Sequence, residues 1–166
     1  MKRIAAILLL ALPVLAHAQL KVLSVQDAPK EICHVTESSI AGIDSRIFVY
    51  FSDGNYYISA HTTNRFDEVF TFFLGKTQEN AVATLNDLAG LCSGNPVGTR
   101  IALERWPGEP CLCVIASSFH TTEKAPNGSD LKPTRLLLGA DKFAGVVDVS
   151  RKNILSLADK VEKYKL

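Results

Sequence analysis

The sequence predicts an α+β fold: a mainly antiparallel sheet built from hairpins, with two helices packed on it. Three observations carry this. Short β-favouring runs, separated by Gly, Pro, Asn and Asp, recur from Ile32 to Val149. One of the turns between them, Asp53-Gly54, is the strongest short hairpin signal, because both central residues must accept φ > 0. Only two stretches, starting near Thr77 and Ser150, repeat apolar residues at helical spacing. Hairpins outnumber crossovers, which places the chain in the α+β class, with a sheet of about six to eight strands. The expected order is β-β-β-β-β-α-β-β-β-β-α.

The first residues read as an export signal. Lys2 and Arg3 precede an apolar stretch from Ile4 to Leu15, and Ala16-His17-Ala18 has the small-x-small form of a cleavage site. That stretch is about 12 residues long, against the roughly 20 that a membrane-spanning helix needs. The expectation is therefore a signal peptide over residues 1–18 and one domain over residues 19–166, in the periplasm or outside the cell, with no stable membrane insertion. No cysteine follows the cleavage site to take a lipid anchor.

In the mature part, Leu20 to Val25 alternates like a strand until Ala28-Pro29, and Ile32 to Thr36 forms a second short run. Glu37 to Asp44 is small and polar, a loop or a helical turn. Placing Asp53-Gly54 at the turn pairs Phe51 with Tyr56, Val49 with Ile58 and Ile47 with Ala60 on an apolar core face. The opposite face pairs Tyr50 with Tyr57, Phe48 with Ser59 and Arg46 with His61. A slip of one residue would mix the two sets, so the register is well specified. The second face reads either as a half-exposed sheet surface held by cross-strand ring pairs, each worth roughly 0.2–1 kcal/mol, or as a recognition surface with Tyr50 and Tyr57 as contacts.

Glu68 to Leu74 is an aromatic-rich strand. Thr77 can cap a helix whose Ala81, Val82, Leu85, Leu88, Ala89 and Cys92 form one stripe, ended by Gly94-Asn95-Pro96. Thr99 to Arg105 and Cys111 to Phe119 form a second hairpin through Trp106-Pro107-Gly108-Glu109, where Pro-Gly suits a type II turn. Trp106 either covers one end of the core or anchors a partner, with Glu109 beside it. The polar segment Thr121 to Pro133, with Lys124 and Lys132, reads as a long structureless loop and a third candidate contact. Thr134–Leu138 and Lys142–Val149 make another hairpin, and Ser150 caps a last helix with Ile154, Leu157, Ala158, Val161 and Tyr164 on one stripe. No internal sequence repeat is visible.

The four cysteines, Cys33, Cys92, Cys111 and Cys113, behind a signal peptide point to two disulfides. On a strand, Cys111 and Cys113 share a face about 6.6 Å apart, at about 3.3 Å per residue. That fits a mutual bond poorly, so each is expected to reach a different partner, Cys33 or Cys92. Which joins which is open at this point, and a four-thiolate metal site is the weaker alternative because close C-x-x-C pairs are missing.

Without Lys2 and Arg3 the formal charge falls from +1 to about −1, and the cations are dispersed. Nucleic-acid binding rests on clustered cations that neutralise phosphates, so that class is excluded. Phosphate-binding glycine loops and the G-x-S-x-G, S-x-x-K and H-E-x-x-H motifs are missing. No cofactor, metal or catalytic residue is expected. The reading is an exported non-enzymatic domain that binds a protein, in the manner of an inhibitor or immunity protein. Its alternatives are a small secreted hydrolase with a histidine–carboxylate site assembled by folding, and a structural subunit of an envelope assembly that uses strand edges.

Overall fold

A computed structural model of the chain describes residues 28–38, 44–61, 69–118, 121–141 and 146–165. The expected signal peptide and the strand expected over Leu20–Val25 lie outside those residues. The described elements are β1 (Lys30–Ser38), β2 (Asp44–Ser52), β3 (Asn55–His61), β4 (Val69–Gly75), α1 (Gln78–Gly94), β5 (Arg100–Trp106), β6 (Glu109–Ala116), β7 (Arg135–Leu138), β8 (Val147–Ser150) and α2 (Arg151–Lys163). This is an α+β fold of antiparallel meanders.

The strands form two four-stranded sheets, β1-β2-β3-β4 and β5-β6-β7-β8, where the sequence led us to expect one. Each sheet is followed by its helix, so the order ββββα occurs twice although no repeat shows in the residues. The β2–β3 register is the one that Asp53-Gly54 dictates: Phe51 faces Tyr56, Val49 faces Ile58, and Tyr50 faces Tyr57. Asp53 and Gly54 have φ of 50° and 76°, the left-handed pair that a type I′ turn requires.

Alternation along each strand sends one row of side chains into a single shared core. Ile47, Val49, Ile58, Ala60, Phe70, Phe72 and Leu74 come from the first sheet. Cys111, Cys113, Ile115, Leu136, Leu138, Val147 and Val149 come from the second. Leu85, Leu88 and Ala89 of α1 and Ile154, Leu157 and Val161 of α2 complete it. Between the sheets the packing is tight at Gly139, whose missing Cβ would fall inside the van der Waals surface of the Phe70 ring.

Both helices start on the caps the sequence marks, with Thr77 Oγ1 accepting from Asn80 N (3.2 Å) and Ser150 Oγ from Asn153 N (3.3 Å). The end of α2 is held by α1: the Gln78 amide donates to the carbonyls of Val161 (2.6 Å), Tyr164 (2.9 Å) and Glu162 (3.1 Å). The Val161 carbonyl also accepts from Tyr164 N (3.1 Å) at the helix end, and last-turn carbonyls otherwise depend on such outside donors. Gln78→Ala should therefore fray the last turn of α2 and lower the unfolding free energy by about 1–2 kcal/mol. Urea unfolding and amide exchange at Lys163–Lys165 would show it.

The open edge of β1 is occupied by side chains of α2. Lys160 Nζ donates to the carbonyl of His34 (2.7 Å) and Asn153 Nδ2 to that of Thr36 (3.2 Å). Where the chain leaves β1, Glu37 is only 6% exposed. One of its oxygens accepts from Ser150 N and Ser150 Oγ (both 2.6 Å), and the other from Arg135 (3.1 Å). Arg135 also donates to Asp148 (2.7 Å). The sequence placed Glu37 in a polar loop. It is in fact a buried carboxylate at the end of β1 that ties the first sheet to β7 and the start of α2.

Candidate binding face

The face of the first sheet turned away from the core carries Phe48 and Tyr50 on β2, Tyr57 on β3 and Phe73 on β4. Trp106 arrives from the end of β5 and packs over the same surface. Ring centroids lie 5.8 Å apart for Phe48–Tyr50, 5.1 Å for Tyr50–Tyr57, 5.1 Å for Tyr57–Trp106 and 6.0 Å for Tyr57–Phe73. His61 extends the row by stacking on Phe48 at 5.4 Å. Most neighbours are tilted by 36–58° to one another rather than parallel. Tyr57 lies at the centre and is buried at 7% exposed, while Phe48, Tyr50, Phe73 and Trp106 are half-buried and His61 is exposed.

Two ion pairs bound this row. At the His61 end, Arg46 Nη2 donates to both oxygens of Glu31 (2.5 and 2.8 Å), and His34 Nδ1 lies 2.8 Å from the same carboxylate. Burial raises the Glu31 pKa, but the hydrogen bonds with His34 and Arg46 outweigh it and hold the carboxyl below its ordinary value. At the Trp106 end, Arg105 Nη1 sits 3.4 Å from Glu109 while its Nε donates to the carbonyl of Thr71 (2.5 Å). The guanidinium also lies 4.5 Å from the Phe70 ring centroid. Glu104 accepts from Gly108 N (2.6 Å), and Gly108 has φ of 81°, so the turn presenting Trp106 is the type II turn that Pro107-Gly108 favours.

Between the Glu31–Arg46 pair and the rings runs an open groove of about 360 Å³, lined by Pro29, Glu31, Arg46, Phe48, Tyr50 and His61. A larger depression of about 480 Å³ lies between the two helices, lined by Gln78, Glu79, Val82, Ala83, Asn86 and Glu162. Among the described residues no aromatic, histidine or cysteine lines it, and Gln78 is already engaged in capping α2, so its chemistry is the poorer of the two.

Of the residues the sequence singled out, the structure joins Tyr50, Tyr57, Trp106 and Glu109 on one surface. Lys124 and Lys132 belong elsewhere. They are exposed on the β6–β7 connection, which begins where β6 ends, whereas Glu109 opens that strand. That connection is not structureless: a bridge between Lys124 and Asp130 and a bond from Ala125 N to Ser129 O (2.8 Å) fold it into a small finger. Asn127 Oδ1, at its tip, accepts from the backbone N (3.1 Å) and hydroxyl (2.7 Å) of Ser129. Phe73 completes the aromatic face, and Arg105, which packs on the core ring of Phe70 and pairs with Glu109, borders it; nothing local in the sequence marked them. Their spacing from Tyr57 is set by pairing and by the approach of β5.

All four cysteines are free thiols in the structure. Cys92, at the end of the α1 stripe, and Cys111 and Cys113, on the core face of β6, are buried, while Cys33 is half-buried. Burial, reinforced by the neighbouring Cys111 and Cys92, pushes the Cys113 thiol up to about 12. Cys33 lies against α2, with its Sγ 4.0 Å from the carbonyl of Leu157, and burial pushes its thiol up to about 11. Thiols in that state are poor nucleophiles, since the thiolate is the reactive form. Among the described residues no three His, Cys, Asp or Glu side chains are arranged to hold a metal ion, and no helix is long and apolar enough to cross a membrane.

Comparison with protein families, with curated proteins and with solved structures finds no match. The reading of the surface rests on its geometry.

Proposed function

We propose that the chain is an exported, non-enzymatic protein-binding domain of the periplasm or extracellular space, of the kind that inhibits or neutralises another exported protein. The observation that carries this reading is the row of rings from His61 to Trp106, flanked by the Glu31–Arg46 and Arg105–Glu109 pairs. An aromatic centre with arginine and a polar rim is the composition of an interface whose few central residues carry most of the affinity. Export is supported by the basic start, the apolar stretch and Ala16-His17-Ala18. In an oxidising compartment Cys92 is better placed than Cys33 to pair with Cys113, since Cys92 neighbours that thiol whereas Cys33 sits against α2.

The hydrolase alternative has less support. His61 lines a groove together with Glu31, but that carboxylate is already engaged with Arg46 and His34. Among the described residues no Ser, Thr or Cys lines the groove to act as a nucleophile. Assembly through the β1 edge is disfavoured because α2 side chains hold its carbonyls.

The test is capture from cell-envelope extract and culture medium on the immobilised mature protein. One defined protein should be retained, and Trp106→Ala and Tyr50→Ala should each reduce its retention at least about ten-fold, the effect of losing roughly 1.4 kcal/mol. Circular-dichroism melting of each variant guards against a folding defect. Tyr57 is a poor choice for this purpose, because its burial makes truncation a core lesion. Retention of no protein, or equal retention by folded variants, would overturn the reading.

A further inference from the structure

Three of the four thiols lie inside the common core, with Cys92, Cys111 and Cys113 at 1%, 3% and 0% exposed. Cys92 closes the inward stripe of α1, and Cys113 stands in the inward row of β6. The chain leaving α1 is pinned to that same strand. Gly98 N donates to the carbonyl of Ile115 (2.8 Å), and Ile115 N donates to that of Thr99 (3.0 Å). Ile115 and Cys113 are alternate residues of β6 and therefore share a face. The end of α1 is thus held over the part of β6 that carries Cys113, and the Cys92 sulfur is one of the groups that bear on the Cys113 thiol.

The other two thiols are held elsewhere. Cys111 lies toward the hairpin end of β6, where the N–H of Gly139 reaches its sulfur and the charges around it are Asp141, Arg105 and Glu109. Its side chain runs parallel to that of Cys113 on a strand paired on both sides, with Cys111 opposite Leu103, and Cys113 opposite Ile101 and Leu138. A bond between the two would buckle that ladder. Cys33 is on β1 of the first sheet, with its sulfur against the carbonyl of Leu157 in α2.

We infer that the mature protein carries a single disulfide, Cys92–Cys113, which staples α1 to an inner strand of the second sheet, while Cys33 and Cys111 stay reduced. The two disulfides expected from the cysteine count become one. Because α1 is also tied to the first sheet, through the Thr84 hydroxyl that donates to the carbonyl of Leu74 (2.8 Å), the bond links the two sheets through the helix. The oxidant is an exported protein disulfide or oxidised glutathione. Cys92 and Cys113 lose two protons and two electrons as their S–S bond forms, and the oxidant's own disulfide is cleaved to two thiols. The exchange belongs to folding, since both thiols are sealed from solvent once the core has closed. The inference rests on the export reading only for its oxidant.

The test is a disulfide map of two preparations: the exported protein, and the mature protein refolded from urea in reduced and oxidised glutathione. Each is alkylated while denatured and digested without reduction. A linked pair of peptides carrying Cys92 and Cys113, two hydrogens lighter than their sum, is expected, and fragmentation separates Cys113 from Cys111. Cys111→Ala and Cys33→Ala should keep the link, and Cys113→Ala should leave Cys92 open to alkylation. Should a variant fold poorly, the map of the native sequence decides alone. Dithiothreitol should lower the folded-to-unfolded ratio of the native sequence in urea at least about thirty-fold and leave that of Cys92→Ala unchanged. A protein disulfide through Cys33 or Cys111, or four alkylated cysteines in both preparations, overturns the inference. If the refolded protein carries the Cys92–Cys113 link while the exported material holds four thiols, the pairing stands and the oxidising compartment falls.

Discussion

Replacing Glu37 by alanine is expected to lower the unfolding free energy by about 3–5 kcal/mol, the usual cost of removing one partner from a buried ion pair. The loss has two sources. Arg135, whose side chain is only 13% exposed, would keep Asp148 but lose its buried partner. The N–H and hydroxyl of Ser150 would lose their acceptor at the start of α2. Glu37→Gln tests the charge separately from the shape: it retains an acceptor for Ser150 but not the attraction to Arg135, so its cost should be the smaller of the two. Urea denaturation at neutral pH measures both. A Glu37→Ala variant within 1 kcal/mol of the native protein would show that the network is dispensable.

The same carboxylate predicts a direction for pH dependence. Burial raises the Glu37 pKa, but the bonds from Ser150 and Asn153 and the charge of Arg135 outweigh it, and the net value falls below the ordinary 4.5. A group with a lowered folded pKa contributes stability that is present above its unfolded pKa and is lost as pH falls through the folded one. The Glu37 contribution should therefore be intact at neutral pH and disappear below about pH 4.5. Asp148, the other carboxylate on Arg135, is shifted the opposite way: its burial outweighs its bond to Arg135 and raises its pKa above 3.8. Its protonation in acid is accordingly favoured by folding and offsets part of the loss. In Glu37→Gln, the difference in stability from the native protein should shrink steadily as pH is lowered toward 3.

Gly139→Ala is the second change with a large expected effect, a destabilisation of about 2–5 kcal/mol. The backbone there has φ of +78°, which costs an L-residue roughly 1–2 kcal/mol. The added methyl would also overlap the Phe70 ring, whose Cδ2 and Cζ stand 2.8 Å from the ideal Cβ position. Overpacking of that kind typically costs a further 1–3 kcal/mol. The steric part is separable: in a Phe70→Leu background the penalty of Gly139→Ala should fall toward the backbone share alone. A double-mutant cycle by urea denaturation reads that coupling directly, and an unchanged penalty would place the strain elsewhere.

Both positions depend on contacts distant in the chain, which is where the sequence was hardest to read. The order of strands and helices follows from local chemistry: alternation, a turn that needs two residues at positive φ, and caps at Thr77 and Ser150. The pairing of Tyr50 with Tyr57 was readable for the same reason, since both flank one two-residue turn. Trp106 lies far along the chain and belongs to the other sheet, so its contact with Tyr57 depends on how the sheets approach. The split into two sheets is likewise decided by which edges meet after α1, and no residue pattern near Leu74 or Arg100 announces it. Glu37 looked solvated because a charged residue at a strand end usually is. Only the fold brings Arg135 and Ser150 to it from about a hundred residues away.

The doubled ββββα order has a consequence for how the molecule comes apart. Neither half encloses an interior of its own, because α1, α2 and the inward rows of both sheets contribute to one common core. Separating the halves would expose both apolar helix stripes at once, so neither provides a refuge in which the other could melt. Heating should consequently give a single calorimetric transition, with van't Hoff and calorimetric enthalpies in agreement.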